Sequence, residues 1–134
     1  MRVARSRDVR ERWTEPVRLV YVDGKHDMWS CYDDMGWSRF LQPGDTLLVH
    51  DAFSSLGVTL AVLRDTARGR RHRYVGRTGS LARFEVARPS TRDRARVLRE
   101  MPWFGRNLVV KVLLRLRARP VARLLGHHDV ADPY

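Results

Sequence analysis

Four side chains could do acid–base work together: Asp23, His26, His50 and Asp51. They fall in two short clusters, Asp23-Gly24-Lys25-His26 and His50-Asp51. Two carboxylates can hold a hard divalent cation such as Mg²⁺. A nearby imidazole can act as a general base near neutral pH. Together they could bind a hydroxyl and take its proton. A plainer reading competes with this one. Asp23 and Asp51 then cap loops or helices, and His50 is a satisfied polar residue at a strand end.

The elements that must position these residues decide between the readings. Val17 to Val22 is a nearly continuous apolar run, as expected of a strand covered on both faces. Residues 28–41 carry apolar groups at a loose helical spacing, and Pro43-Gly44-Asp45 reads as a turn. Thr46 to Val49 is a second strand that ends in His50-Asp51, and a helix starts at Leu56. Strand–helix–strand with buried strands implies parallel pairing and a right-handed crossover. Ligands of such open sheets sit beyond the carboxyl ends of the strands. Both clusters lie there, so neighbouring strands would bring them face to face.

The flanking segments follow another pattern. Residues 2–13 read as a short charged helix that ends before Pro16. Residues 71–76 and 81–87 alternate and read as an antiparallel hairpin with Gly79 at its turn. A charged helix is expected over 90–101, with Ser90 or Thr91 as N-cap. A basic apolar helix is expected over 103–125, kinked near Pro120. The fold class expected is therefore α/β: a parallel strand pair, an antiparallel hairpin and a helical basic tail. The corresponding division is 1–88 for the sheet domain and 89–134 for the tail.

Composition narrows the classes. The chain has 134 residues, 43% of them hydrophobic, which suits one packed domain. A single cysteine, Cys31, excludes a disulfide framework and a Cys-rich zinc module. The charged start has no apolar core and does not read as a secretory signal, so a cytoplasmic location is the default. The net charge of +11 is unevenly placed: +3 over 1–20, −4 over 21–66, +14 over 67–126 and −2 at the end. A basic half suits an anionic partner or a solvated arginine-rich surface. Lys111, Arg115, Arg119 and Arg123 form an i, i+4 row, which would let 103–125 lie on an anionic membrane surface. Nucleic acid is the weaker partner reading, because Arg68 to Arg77 matches no nucleic-acid motif.

Residues 19–62 resemble the later half of class I S-adenosylmethionine-dependent methyltransferases. Asp23-Gly24-Lys25-His26 is similar to an Asp-Gly-x-His segment after the family's fourth strand, and His50-Asp51 to a His-Asp after its fifth. Gly57-Val58-x-x-Ala61-Val62 is similar to the following helix. Leu41-Gln42-Pro43-Gly44 resembles a Leu-x-Pro-Gly-Gly turn, with Asp45 in place of the second Gly. The hairpin over 71–87 is similar to the sixth and seventh strands.

The resemblance implies a partial Rossmann-like sheet and O-methyl transfer onto a sugar or secondary-metabolite hydroxyl, so the partner is a small-molecule or glycan acceptor. It implies S-adenosylmethionine as cofactor, Asp23 and Asp51 as Mg²⁺ ligands and His26 as base. A metal-free site with His26 or His50 as base fits the same residues. His50 stands where some relatives place an acidic ligand. The family's Gly-rich cofactor loop has no counterpart, since the nine Gly form no Gly-x-Gly. The chain therefore reads as a C-terminal half, completed by a missing N-terminal half or by a homo-oligomer. The other class of function is a non-catalytic interaction or membrane-surface protein that keeps the half-fold.

Overall fold

The structure is a computed structural model that describes residues 5–115. Chain order is α1 (Ser6–Arg12), β1 (Val17–Val22), α2 (Met28–Met35), a 3₁₀ helix (Gly36–Phe40), β2 (Leu41–Val49), α3 (Leu56–Arg68), β3 (His72–Thr78), β4 (Leu81–Val86), α4 (Thr91–Arg99) and α5 (Met101–Arg115). The four strands form one sheet in the order β1-β2-β4-β3. β1 and β2 are parallel, and β4 is antiparallel to both β2 and β3. The sheet is thus the expected mixed α/β arrangement, with the second hairpin strand set in the middle.

Local chemistry explains the boundaries. Asp27 caps α2 by accepting from the backbone N–H groups of Trp29 (3.1 Å) and Ser30 (2.9 Å). The Ser30 backbone bond is the main reason its carboxyl is held down at about 2. Ser90 and Asp93 cap each other at the start of α4. Gly79 takes φ +59° at the first position of the two-residue hairpin turn, where a side chain would be strained.

Three boundaries differ from the sequence reading. The helix over 28–41 stops at Met35 and tightens into the 3₁₀ turn, which aims the chain into β2. β2 starts at Leu41 rather than Thr46, because the Pro43-Gly44 excursion lies inside the strand. Val17 pairs with Leu41 and Leu19 already with Thr46, so the extra residues loop out. Asp45 closes that loop by accepting from the Gln42 N–H at 2.7 Å and from Arg18 Nε at 2.9 Å. The basic helix begins at Met101, and the expected kink at Pro120 lies outside the described residues, as does the rest of the tail. Among the described residues no helix is long and apolar enough to cross a membrane.

The core lies on one face of the sheet. Val22, Leu47, Val49, Tyr74, Ala82, Phe84 and Val86 are buried there against Cys31 and Met35 of α2, Val58, Ala61 and Val62 of α3, and Val97 of α4. Met101, Trp103 and Phe104 of α5 close its rim. Glu100 clamps that junction, accepting from Tyr74 Oη (2.9 Å) and Arg77 Nε (2.6 Å), while Arg77 lies 3.8 Å over the Trp103 ring. A second polar clamp crosses the core edge. His72 on β3 places Nδ1 2.8 Å from Asp65 Oδ2 and Nε2 2.8 Å from Ser38 Oγ. All three are buried, so the set cross-links β3, α3 and the 3₁₀ helix.

The opposite face of the sheet is open. Register puts Leu19, Thr46, Glu85 and Arg73 in one row of that face, and Tyr21, Leu48 and Arg83 in the next. Leu19 is 56% exposed and Tyr21 49%. The expectation that β1 is covered on both faces is therefore overturned, since Leu19 and Tyr21 lie bare on the open face, and β1 is also the sheet's edge strand. An apolar run reads the same in a central strand and in an edge strand, because the pattern records hydrophobicity and not neighbours.

Two sets of outcomes are expected, the first for the buried clamp and the second for the open face. His72→Ala leaves the Asp65 carboxylate buried without its partner and lowers stability by about 3 kcal/mol in urea denaturation. Ser38→Ala removes one neutral partner and lowers it by about 1 kcal/mol. The wild-type chain is expected to self-associate with rising concentration in sedimentation velocity, and a Leu19→Lys, Tyr21→Lys variant to stay monomeric. A wild-type chain that is monomeric at every concentration contradicts the second expectation.

Candidate functional site

The parallel register sets the site. Val22 pairs with Val49, and the His50 N–H donates to the Val22 carbonyl at 2.9 Å. Both strands therefore end at one level, with Asp23 and His50 side by side. His50 Nδ1 lies 3.4 Å from Asp23 Oδ1 and 3.4 Å from Asp51 Oδ2. His26 Nε2 reaches the same Asp51 oxygen at 3.2 Å. The four residues singled out in the sequence thus form one line of contacts, Asp23 to His50 to Asp51 to His26. Tyr21 joins them by donating to Asp23 Oδ2 at 3.2 Å.

The loop after β2 is built under strain. Asp51 has φ +54° and Phe53 φ +63°. Asp visits this left-handed region at modest cost, but a bulky Phe does so only when its surroundings hold it. The Phe53 ring is fully buried, edge-on to Tyr74 with centroids 6.0 Å apart. Its N–H donates to Thr59 Oγ1 at 3.1 Å, and its carbonyl accepts from Asn107 Nδ2 at 3.2 Å. The result is an inward-turned Asp51, whose side chain is 8% exposed. Its Oδ1 accepts from Ser54 Oγ at 3.0 Å. Its Oδ2 and His50 Nδ1 are buried without a directed hydrogen bond. Such atoms are costly to bury, and strain with unsatisfied polarity clusters at functional sites.

The other half of the site is held by Gly57. A Cβ there would overlap the His26 carbonyl oxygen and stand 2.8 Å from Met28 N and 2.9 Å from Asp27 Cα. The first turn of α3 therefore lies directly on the 26–28 loop, which brings His26 over Asp51. Glycine is the residue that permits this approach.

A groove of about 440 Å³ opens beside the cluster along the edge of β1. Trp13, Trp37 and Tyr21 supply aromatic walls, and Asp23, Asp34 and Gly24 its polar end. Trp13 and Trp37 stack edge-on at 5.8 Å. Arg10 fixes this wall from behind, donating to Asp33 Oδ1 at 2.6 Å and to the Asp33 carbonyl. Sequence reading missed Trp13, Trp37 and Asp34, since they come from two segments far apart in the chain and follow no motif.

Neither of the groups implied by the resemblance is fitted by the described residues. Asp23 and Asp51 turn their carboxylates onto His50, and among the described residues no three His, Cys, Asp or Glu side chains are arranged to hold a metal ion. S-adenosylmethionine would need a glycine-rich cradle beside β1, and β1 is the sheet edge. The residues of the site thus form an acid–imidazole cluster at the carboxyl end of a two-stranded parallel unit in a mixed α/β sheet. No protein-family model matches the chain.

Cys31 stands apart from this chemistry. Burial, with the charges of Asp34 and Asp27, pushes its thiol up to about 11. The thiol is then protonated at neutral pH, and the thiolate is the nucleophile.

Gly57→Ala is expected to force the 26–28 loop off α3 and lower stability by about 2 kcal/mol, while shifting the His26 ring signals in NMR spectra. Unchanged His26 signals would contradict this account of the loop. Native Cys31 is expected to resist a disulfide reagent at pH 8 and to react on unfolding. Rapid reaction of the folded chain would contradict its burial.

Proposed function

We propose that the chain carries the acceptor side of an O-methyltransferase acting on a hydroxyl of a sugar or similar polyhydroxylated small molecule. The observation that carries the reading is the convergence of His26 and His50 on the buried Asp51 carboxylate, at 3.2 and 3.4 Å, where two parallel strands end. The resemblance of the two motifs to those of class I S-adenosylmethionine-dependent methyltransferases supports it. So does the adjoining groove, since aromatic walls with carboxylates at one end suit the apolar face and hydroxyls of a sugar ring.

The chemistry rests on this chain's own residues. With Asp23 and Asp51 beside Nδ1, His50 holds its neutral-form proton there and presents Nε2 as the acceptor. A hydroxyl brought against that nitrogen from the Asp23 end of the groove hands its proton to it, and the carboxylates stabilise the imidazolium formed. His26 is held against the same carboxylate and orients it. Asp23 and Asp34 fix the hydroxyl-bearing ring by hydrogen bonds. The described residues offer the methyl donor no glycine-rich cradle, so its affinity for this chain is weaker than low-micromolar and the donor is supplied at millimolar concentration.

A second reading is favoured by one observation, the open sheet face with Leu19 and Tyr21 exposed. An interaction protein that keeps the half-fold would use that face and need no proton transfer.

The test uses the purified chain with millimolar S-adenosylmethionine, with and without Mg²⁺, and a panel of monosaccharides. Mass spectrometry is expected to find a sugar one methyl group heavier, and His50→Asn to lower its yield by about 10²-fold or more. An equal yield with His50→Asn would overturn the role of His50. Absence of product from every acceptor would overturn the enzymatic reading in favour of the interaction reading.

A further inference from the structure

A second concavity lies at the other end of the sheet. β4 runs antiparallel to β2, so the loops 69–71 and 87–90 sit where β1 and β2 begin, opposite the His and Asp cluster. Arg70 from the first loop, Arg88 and Pro89 from the second, and Thr91 and Arg94 from α4 line a groove of about 440 Å³. Three arginines and a threonine thus line one space, and among the described residues no Asp or Glu lines it.

The neighbouring acids are already engaged. Asp93 accepts from Ser90 N at 2.8 Å and from Ser90 Oγ at 2.6 Å. Glu85 pairs with Arg73 at 2.7 Å, and Asp65 with His72 at 2.8 Å. Arg70 and Arg88 pair with no carboxylate among the described residues, whereas Arg94 is fixed in place. Its Nη1 donates to the Ala67 carbonyl in the last turn of α3 at 2.8 Å, and its Nη2 to the carbonyl of Gly69 just beyond the helix at 3.1 Å. That leaves further N–H donors of a pre-oriented fork, which need give up little freedom on binding. Like charges gathered around one concavity repel, and a multiply charged anion relieves that repulsion.

We propose that this groove binds a phosphate group carried by a small molecule. Guanidinium groups match phosphate oxygens with paired charge-assisted hydrogen bonds, which a single carboxylate cannot satisfy on three sides. A volume of about 440 Å³ is that of a small-molecule site rather than of an extended track. The site is separate from the proton-transfer cluster, so it stands whether or not the methyltransferase reading does.

The test titrates inorganic phosphate into the full chain, followed by calorimetry and by thermal melting, against chloride at matched ionic strength. The expected result is saturable one-to-one binding that raises Tm, weakened about tenfold or more by Arg70→Gln or Arg88→Gln. Both side chains are exposed, so the variants are expected to melt as the wild type does without phosphate. An equal rise of Tm in chloride would overturn the proposal, as would undiminished binding by both variants. Binding of single-stranded RNA that strengthens with length and that phosphate does not displace would overturn the small-molecule source.

Discussion

The parallel pairing of β1 with β2 is the constraint on which the rest depends. Its register, Val22 beside Val49, ends both strands at one level. The acid–imidazole cluster follows from that coincidence. Shifting one strand by a single residue would turn its side chains to the other face and separate Asp23 from His50. The register is in turn fixed by burial, because Val22, Leu47 and Val49 must all face the helices. The hydrophobic core and the site are thus two consequences of one alignment.

The sheet is finished on one side only. Helices α2 to α5 contribute to a single core, and the opposite face presents Leu19, Tyr21 and Leu48 beside charged residues. Burying a side chain of this size is worth about 1.5–3 kcal/mol. The open face is therefore a standing drive toward association, and the groove of Trp13, Trp37 and Tyr21 lies along its edge. Leu19 and Tyr21 belong both to the open face and to that groove, so the two proposed readings share these residues.

Much of this was legible in the sequence. The sequence narrows the α4 cap to Ser90 or Thr91, of which the structure uses Ser90. The two strand ends and the Gly79 turn follow from local chemistry with one dominant solution. So did the four site residues, because the rule for parallel sheets places function at carboxyl strand ends. The remainder depends on neighbours that pattern does not encode. β2 absorbs Pro43-Gly44 because Asp45 satisfies the looped backbone. β1 is exposed because of where it stands in the sheet. Ser38, Asp65 and His72 meet from three elements, and Trp13 and Trp37 from two, so no spacing announces them. The left-handed Phe53 is equally silent, since its conformation is imposed by its buried ring and by Thr59 and Asn107.

The central claim is that Asp51 couples both imidazoles into one site. The most direct measurement is an NMR comparison of the ring nitrogens of His26 and His50 in the wild type and in Asp51→Asn and Asp23→Asn variants. The account expects Asp51→Asn to move the signals of both rings, and Asp23→Asn to move those of His50 alone. Rings that ignore Asp51→Asn would show that the two histidines act independently, and the proposed proton-transfer cluster would fall.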